Sequence, residues 1–141
     1  MKAIGRHIIL ELWGCSRSSL NSVETAEQAL REMVVALDVN LLDLKVYPFS
    51  PVGVTGIAIV SESHLVIHTW PEHLYAAVDI FTCGEPRDPQ AAVGVLRAHY
   101  APEHIQLMEI NRGHLDLPEP PAPVGRGRPA HGRARTPALT R

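Results

Sequence analysis

The chain has 141 residues, the size of one compact domain, and its 45% apolar and 20% charged content is that of an ordinary globular protein. No apolar run approaches the roughly 20 residues of a membrane span, and the start Met1–His7 lacks a secretory signal, so a cytoplasmic protein without a membrane partner is expected. Residues 1–119 hold 8 Lys/Arg and all 15 Asp/Glu while 120–141 hold five arginines and no acid, and so acidic a body argues against nucleic acid as the principal partner.

In chain order, His7 to Trp13 reads as a first strand with Ile8, Leu10 and Leu12 on one face. Asn21 followed by Glu24 resembles a capping box. Val23, Ala26, Leu30, Met33, Val34 and Leu37 then recur at helical spacing, predicting an amphipathic helix over 22–37. Four strand-like runs follow at 40–49, 53–61, 64–70 and 74–82, joined by connections too short for parallel crossovers. Asp88-Pro89 predicts a capped helix start, with Ala92, Val95, Leu96 and Tyr100 on its apolar side. A last strand runs from His104 to Ile110.

The expected fold is therefore α/β of the α+β kind, a two-layer sandwich in the order βαββββαβ. Its antiparallel-rich sheet carries helices on one face, and the uncovered face makes dimerisation a reasonable expectation. The domain spans 1–116. From Leu117 to Arg141 the Pro/Gly/Arg-rich tail has almost nothing to bury and reads as disordered, an electrostatic tether to an acidic surface being the alternative.

Two cysteines, Cys15 and Cys83, without a CxxC, exclude a disulfide framework and a four-cysteine zinc site. The unusual local feature is Ser61-Glu62-Ser63-His64-Leu65-Val66-Ile67-His68-Thr69-Trp70-Pro71-Glu72. On a strand, His64, Val66 and His68 share one face, close to a serine at the strand's start. Three readings stay open on the residues alone. Ser63 is a base-activated nucleophile, although no Gly-x-Ser-x-Gly elbow is present. Or His64, His68, His73 and Cys83 converge on a metal, at spacings that match no usual zinc signature. Or the histidines simply line a half-buried sheet face.

This segment closely resembles the processing segment of bacterial and archaeal S-adenosylmethionine decarboxylases. Tyr75-Ala76-Ala77-Val78-Asp79 leading to Phe81-Thr82-Cys83-Gly84 does so too, as do Gly5-Arg6-His7 and Gly53-Val54-Thr55-Gly56. The similarity runs in register over about residues 2–112 and omits the tail.

The resemblance implies a self-processing, pyruvoyl-dependent carboxy-lyase that supplies the aminopropyl donor for polyamine (spermidine) biosynthesis. Ser63 would attack the carbonyl of Glu62 to give an ester. Loss of the Ser63 α-proton would then yield dehydroalanine, and hydrolysis a pyruvoyl group. The products are a β chain, 1–62, and an α chain, 63–141. His68 matches the processing base, a role suited to an imidazole. Thr55 stands where the family usually has a serine whose hydroxyl supports the cyclic intermediate. In turnover the pyruvoyl carbonyl forms a Schiff base with the substrate amine and acts as an electron sink, with no metal required. Cys83 matches the proton donor. Glu72 matches the acid that holds the ribose hydroxyls, and Phe49 an aromatic that stacks on adenine. Glu11 and Cys15 match common family residues without an assigned role. The implied assembly is a homodimer of processed αβ protomers, packed sheet against sheet.

Val66, Leu74 and Tyr47 depart from the usual serine or threonine, glycine and histidine, and Leu74 is expected to narrow a pocket or demand unusual backbone angles. These departures spare Ser63, His68 and Cys83. The alternatives are accordingly an arginine or ornithine decarboxylase using the same pyruvoyl chemistry, and an unprocessed binding or regulatory homologue.

Overall fold

The computed structural model describes residues 3–115; the tail expectation at 117–141 lies outside the described residues. The strands are β1 (Ala3–Trp13), β2 (Asn40–Pro48), β3 (Val54–Ser61), β4 (Ser63–Trp70), β5 (Tyr75–Cys83) and β6 (His104–His114). The helices are α1 (Arg17–Leu20), α2 (Val23–Ala36) and α3 (Pro89–Tyr100), with a 3-10 turn at Pro71–His73. All six strands join one antiparallel sheet in the order β2-β3-β4-β5-β1-β6. The expected order βαββββαβ is present, with α1 and the 3-10 turn as additions too short to leave a periodic signal.

Alternation decides which face is covered. Ile8, Leu10 and Leu12 of β1, Leu65 and Ile67 of β4, and Val78 and Ile80 of β5 are buried beneath α2 and α3. Leu30, Met33, Leu96 and Tyr100 meet them from the helices, and burying side chains of this size contributes about 1.5–3 kcal/mol each. Gly56 lets α2 approach β3: a Cβ there would lie 2.8 Å from Leu30 Cδ1. Asp88 caps α3 as expected, its carboxylate accepting from the Gln90 N–H at 2.9 Å, with Pro89 in the first turn.

The cap of α2 differs from expectation. Ser22, not Asn21, is its N-cap, and its hydroxyl accepts from the Thr25 N–H at 3.1 Å. Asn21 ends α1 instead, and its side-chain oxygen accepts from the Gly53 N–H at 3.0 Å. Adjacent Asn and Ser are both good caps, so tertiary demand chose between them.

The opposite face of the sheet carries no layer among the described residues. Ile57, Ile59, Met108 and Ile110 are exposed along it, as are Trp13 and Trp70 at one end. His64 and His68 occupy this open face, alternating with the core residues Leu65, Ile67 and Thr69.

Candidate active site

His68 stands directly opposite Thr55 in the β3–β4 ladder, and the Thr55 hydroxyl lies 3.0 Å from His68 Nδ1. Beyond them the chain turns at Gly53, whose φ of +103° suits glycine and whose carbonyl accepts from the Phe49 N–H at 2.8 Å. That turn folds Phe49 back over the end of β3. Tyr47 meets the Phe49 ring edge-on at 5.2 Å and so supports it. On the other side, Trp70 leads into the 3-10 turn that bears Glu72.

A cleft of about 340 Å³ results, lined by Phe49, Val52, Thr55, His68, Thr69, Trp70 and Glu72. Four of the expected site residues, Phe49, Thr55, His68 and Glu72, thus converge from three separate stretches of chain. The lining offers an aromatic face, a hydroxyl–imidazole pair and a carboxylate, which suits a planar, polyhydroxylated small molecule. Trp70 was not singled out in sequence, yet it lies two residues beyond His68 and so on the same face. Its ring stacks on Tyr75 at 5.3 Å, and Tyr75 stacks on Trp13 at 4.3 Å. The Tyr75 hydroxyl donates to Glu11, and burial together with that carboxylate pushes its pKa up to about 12. Thr69, on the strand face opposite the histidines, is buried, and its hydroxyl donates to the Leu20 carbonyl at 2.6 Å, tying β4 to α1.

Ser63 and Cys83 are not in this cleft. Ser63 opens β4, opposite Val60 on one side and Thr82 on the other; Cys83 is the next residue of β5 and is half-buried. His68 lies five residues along the strand from Ser63, about 17 Å at about 3.4 Å per residue. The shared face inferred from sequence is real for the two histidines, but Ser63 and His68 of one chain lie at opposite ends of the strand. Nor are His64, His68, His73 and Cys83 gathered: no group of three or more His, Cys, Asp or Glu placed to hold a metal occurs among the described residues.

Around Ser63 the backbone is unusual. Its φ of +120° is one that residues bearing a Cβ rarely adopt, at a cost of about 1–3 kcal/mol. The strain falls on the residue whose amide bond the expected cleavage breaks. The hydroxyl lies 3.4 Å from His64 Nδ1. Ser63 is thus a strained serine with an imidazole nitrogen beside its hydroxyl.

Leu74 takes up its departure from glycine in the backbone, with φ at +51°, and is absent from the lining of the cleft. Val66 sits on the open face between the histidines, opposite Ile57 and Asp79. His7, in β1, is held by Asp79 at 2.9 Å on that same face.

A family model described as S-adenosylmethionine decarboxylase matches residues 6–113. The S-adenosylmethionine decarboxylase proenzyme of Thermomicrobium roseum is 53% identical over 116 residues, covering 82% of this chain and 98% of that relative. The proenzyme of the same name from Methanococcus maripaludis strain C5 is 46% identical over 119 residues, covering 84% and 98%. Among solved structures, the adenosylmethionine decarboxylase of Aquifex aeolicus VF5 aligns with a TM-score of 0.75 at 31% identity, covering 85% of this chain and 99% of that one. The chain therefore belongs to the S-adenosylmethionine decarboxylase family.

Proposed function

We propose that this chain is a proenzyme that cuts itself between Glu62 and Ser63 and then decarboxylates S-adenosylmethionine for polyamine synthesis in the cytoplasm. The observation that carries this reading is the cleft, in which Phe49, Glu72 and the Thr55–His68 pair line one space of about 340 Å³. Phe49 stacks on the purine, and the Glu72 carboxylate accepts from both hydroxyls of the ribose. Ser63 becomes the covalent pyruvoyl group, whose carbonyl supplies an electron sink for loss of carbon dioxide. Cys83, one residue beyond the strand partner of Ser63, returns a proton to the α-carbon.

The separation of about 17 Å within β4 gives this chemistry a second requirement. Ser63 and Cys83 lie at one end of the sheet and the His68 cleft, on its open face, at the other. A second copy, packed sheet against sheet across a two-fold axis, lays its cleft over the first copy's Ser63. Each of the two sites then takes Ser63 and Cys83 from one chain and Thr55, His68, Phe49 and Glu72 from the other. The exposed apolar residues of that face, Ile57, Ile59, Met108 and Ile110, are covered in the same step.

Intact mass spectrometry under denaturing conditions tests cleavage, with two fragments, 1–62 and a modified 63–141, as the expected result. Release of labelled carbon dioxide from S-adenosylmethionine, and not from arginine or ornithine, tests the substrate. A chain that remains whole, or one that is cleaved yet inert toward S-adenosylmethionine, overturns the corresponding half of the proposal.

A further inference from the structure

We propose that His64 is a catalytic residue of chain cleavage, taking the Ser63 hydroxyl proton as that oxygen attacks the Glu62 carbonyl carbon. The inference rests on the self-cleavage reading above and supplies the base for its first step, which that reading leaves without one.

Three observations support it. The Ser63 hydroxyl lies 3.4 Å from His64 Nδ1, and this is the hydrogen bond of His64 among the described residues. Catalytic hydrogen bonds are often this loose before the reacting groups close up. The imidazole is also oriented: His64 stands opposite Phe81 in the β4–β5 ladder, and the two rings meet edge-on at 6.0 Å and 60°. In the Nε2–H tautomer its Nδ1 is an acceptor, and it faces the hydroxyl. Finally, His68 of the same chain is about 17 Å away and its Nδ1 is already engaged by Thr55. His68 is thereby left to the later removal of the α-proton, across the interface between copies.

The step balances without any oxidant or co-reactant. The Ser63 Oγ–H bond breaks and its proton passes to His64 Nδ1, while a bond forms from Oγ to the Glu62 carbonyl carbon. The Glu62–Ser63 C–N bond then breaks, and the departing nitrogen takes the proton back from His64. An amide has become an ester and the imidazole is again neutral. Breaking that amide also frees Ser63 from its φ of +120°, so the strain at this residue is released in the forward direction.

The test compares His64→Ala, His64→Asn and the unaltered chain, each expressed whole and followed by intact mass, with thermal melting as the check on folding. Asparagine keeps an acceptor near the Nδ1 position but takes up no proton. Both variants should melt like the unaltered protein and cleave at least about 100-fold more slowly, the usual cost of losing a general base. Added imidazole should restore cleavage of His64→Ala. Hydroxylamine, which cuts esters and spares amides, should leave both variant chains whole.

Cleavage of His64→Asn at the unaltered rate would reduce His64 to a positioning hydrogen bond and overturn the proposal. So would a hydroxylamine-sensitive ester accumulating in either variant, because the first step would then have run without His64. Cleavage lost only together with the fold would overturn it as well. An unaltered chain that never cleaves would instead overturn the self-processing reading underneath.

Discussion

Thr55 and His68 face each other across the β3–β4 pair, hydroxyl to Nδ1 at 3.0 Å. The bond fixes which imidazole nitrogen is engaged and leaves Nε2 for chemistry. Thr55→Val keeps the shape and removes the hydroxyl, so the imidazole loses its orientation while the strand is retained. Cleavage measured by intact mass should slow by about 10–100-fold, with stability lowered by about 0.5–1.5 kcal/mol for the lost hydrogen bond. Thr55→Ser should cleave at least as fast as the unaltered chain.

Because Ser63 and His68 sit at opposite ends of β4, two defective chains should repair one another. Co-expression of Ser63→Ala with His68→Ala creates mixed dimers in which one site has both residues. Mass spectrometry should then find the His68→Ala chain cleaved and the Ser63→Ala chain whole, although neither is cleaved alone. Absence of cleavage in the mixture would place His68 in its own chain's site and remove the sheet-to-sheet dimer from the mechanism.

Substrate binding should separate from cleavage. Glu72→Gln removes a charged acceptor worth about 1.5–3 kcal/mol, so KM for S-adenosylmethionine should rise by about 10–100-fold. Phe49, 52% exposed and free to stack, should behave similarly as Phe49→Ala. Fragments 1–62 and 63–141 should still form in both, because neither side chain is needed to break the Glu62–Ser63 bond. Equal loss of cleavage would mean that the cleft serves processing and does not bind substrate.

How much of this is legible in the sequence differs residue by residue. Strict alternation in Ile8-Leu10-Leu12 and the helical spacing of Ala26, Leu30, Met33 and Leu37 place these residues in the core, as observed. Asp88-Pro89 announces α3 because a capping carboxylate and a proline in the first turn satisfy the same end. The choice of Ser22 over Asn21 was hidden, since it depends on Gly53, 32 residues away from Asn21. Convergence of Phe49 and Glu72 was likewise invisible to periodicity, because only the β3–β4 register closes the gap. The Ser63–His68 separation, by contrast, follows from strand rise alone once both residues lie on one strand. Shared facing had masked it.

Leu74 illustrates a departure whose cost is in the backbone. Its φ of +51° is disfavoured by about 1–2 kcal/mol for a side chain, its own side chain is 39% exposed, and its carbonyl anchors the Cys15 N–H at 2.9 Å. Leu74→Gly relieves that strain and gives back about 0.5–1 kcal/mol through the freer unfolded chain. A net gain of about 0.5–1 kcal/mol is expected in urea unfolding, with kcat unchanged. Destabilisation would show that Leu74 packs more usefully than its exposure implies.

Alkaline conditions should reveal which thiol is buried and which is available. Cys15 is 4% exposed, and burial pushes its pKa from 9.0 up to about 11. Burial also raises Tyr100, and raises Tyr75 with the help of Glu11. For each of these groups the native state holds its proton at pH values where the unfolded chain has lost it. Stability from Cys15 is therefore complete below about pH 9 and declines as pH climbs toward about 11. The urea midpoint should be level from pH 7 to about 8.5 and fall beyond it. In Cys15→Ala the fall should be shallower without vanishing, because the two tyrosines act with the same sign. Iodoacetamide at pH 8 should label Cys83 in the folded protein and spare Cys15 until urea exposes it, since only the thiolate of an accessible cysteine reacts. Rapid labelling of Cys15 in the native protein, or an unchanged alkaline slope in Cys15→Ala, would contradict its burial beside Tyr100 and the origin of the slope.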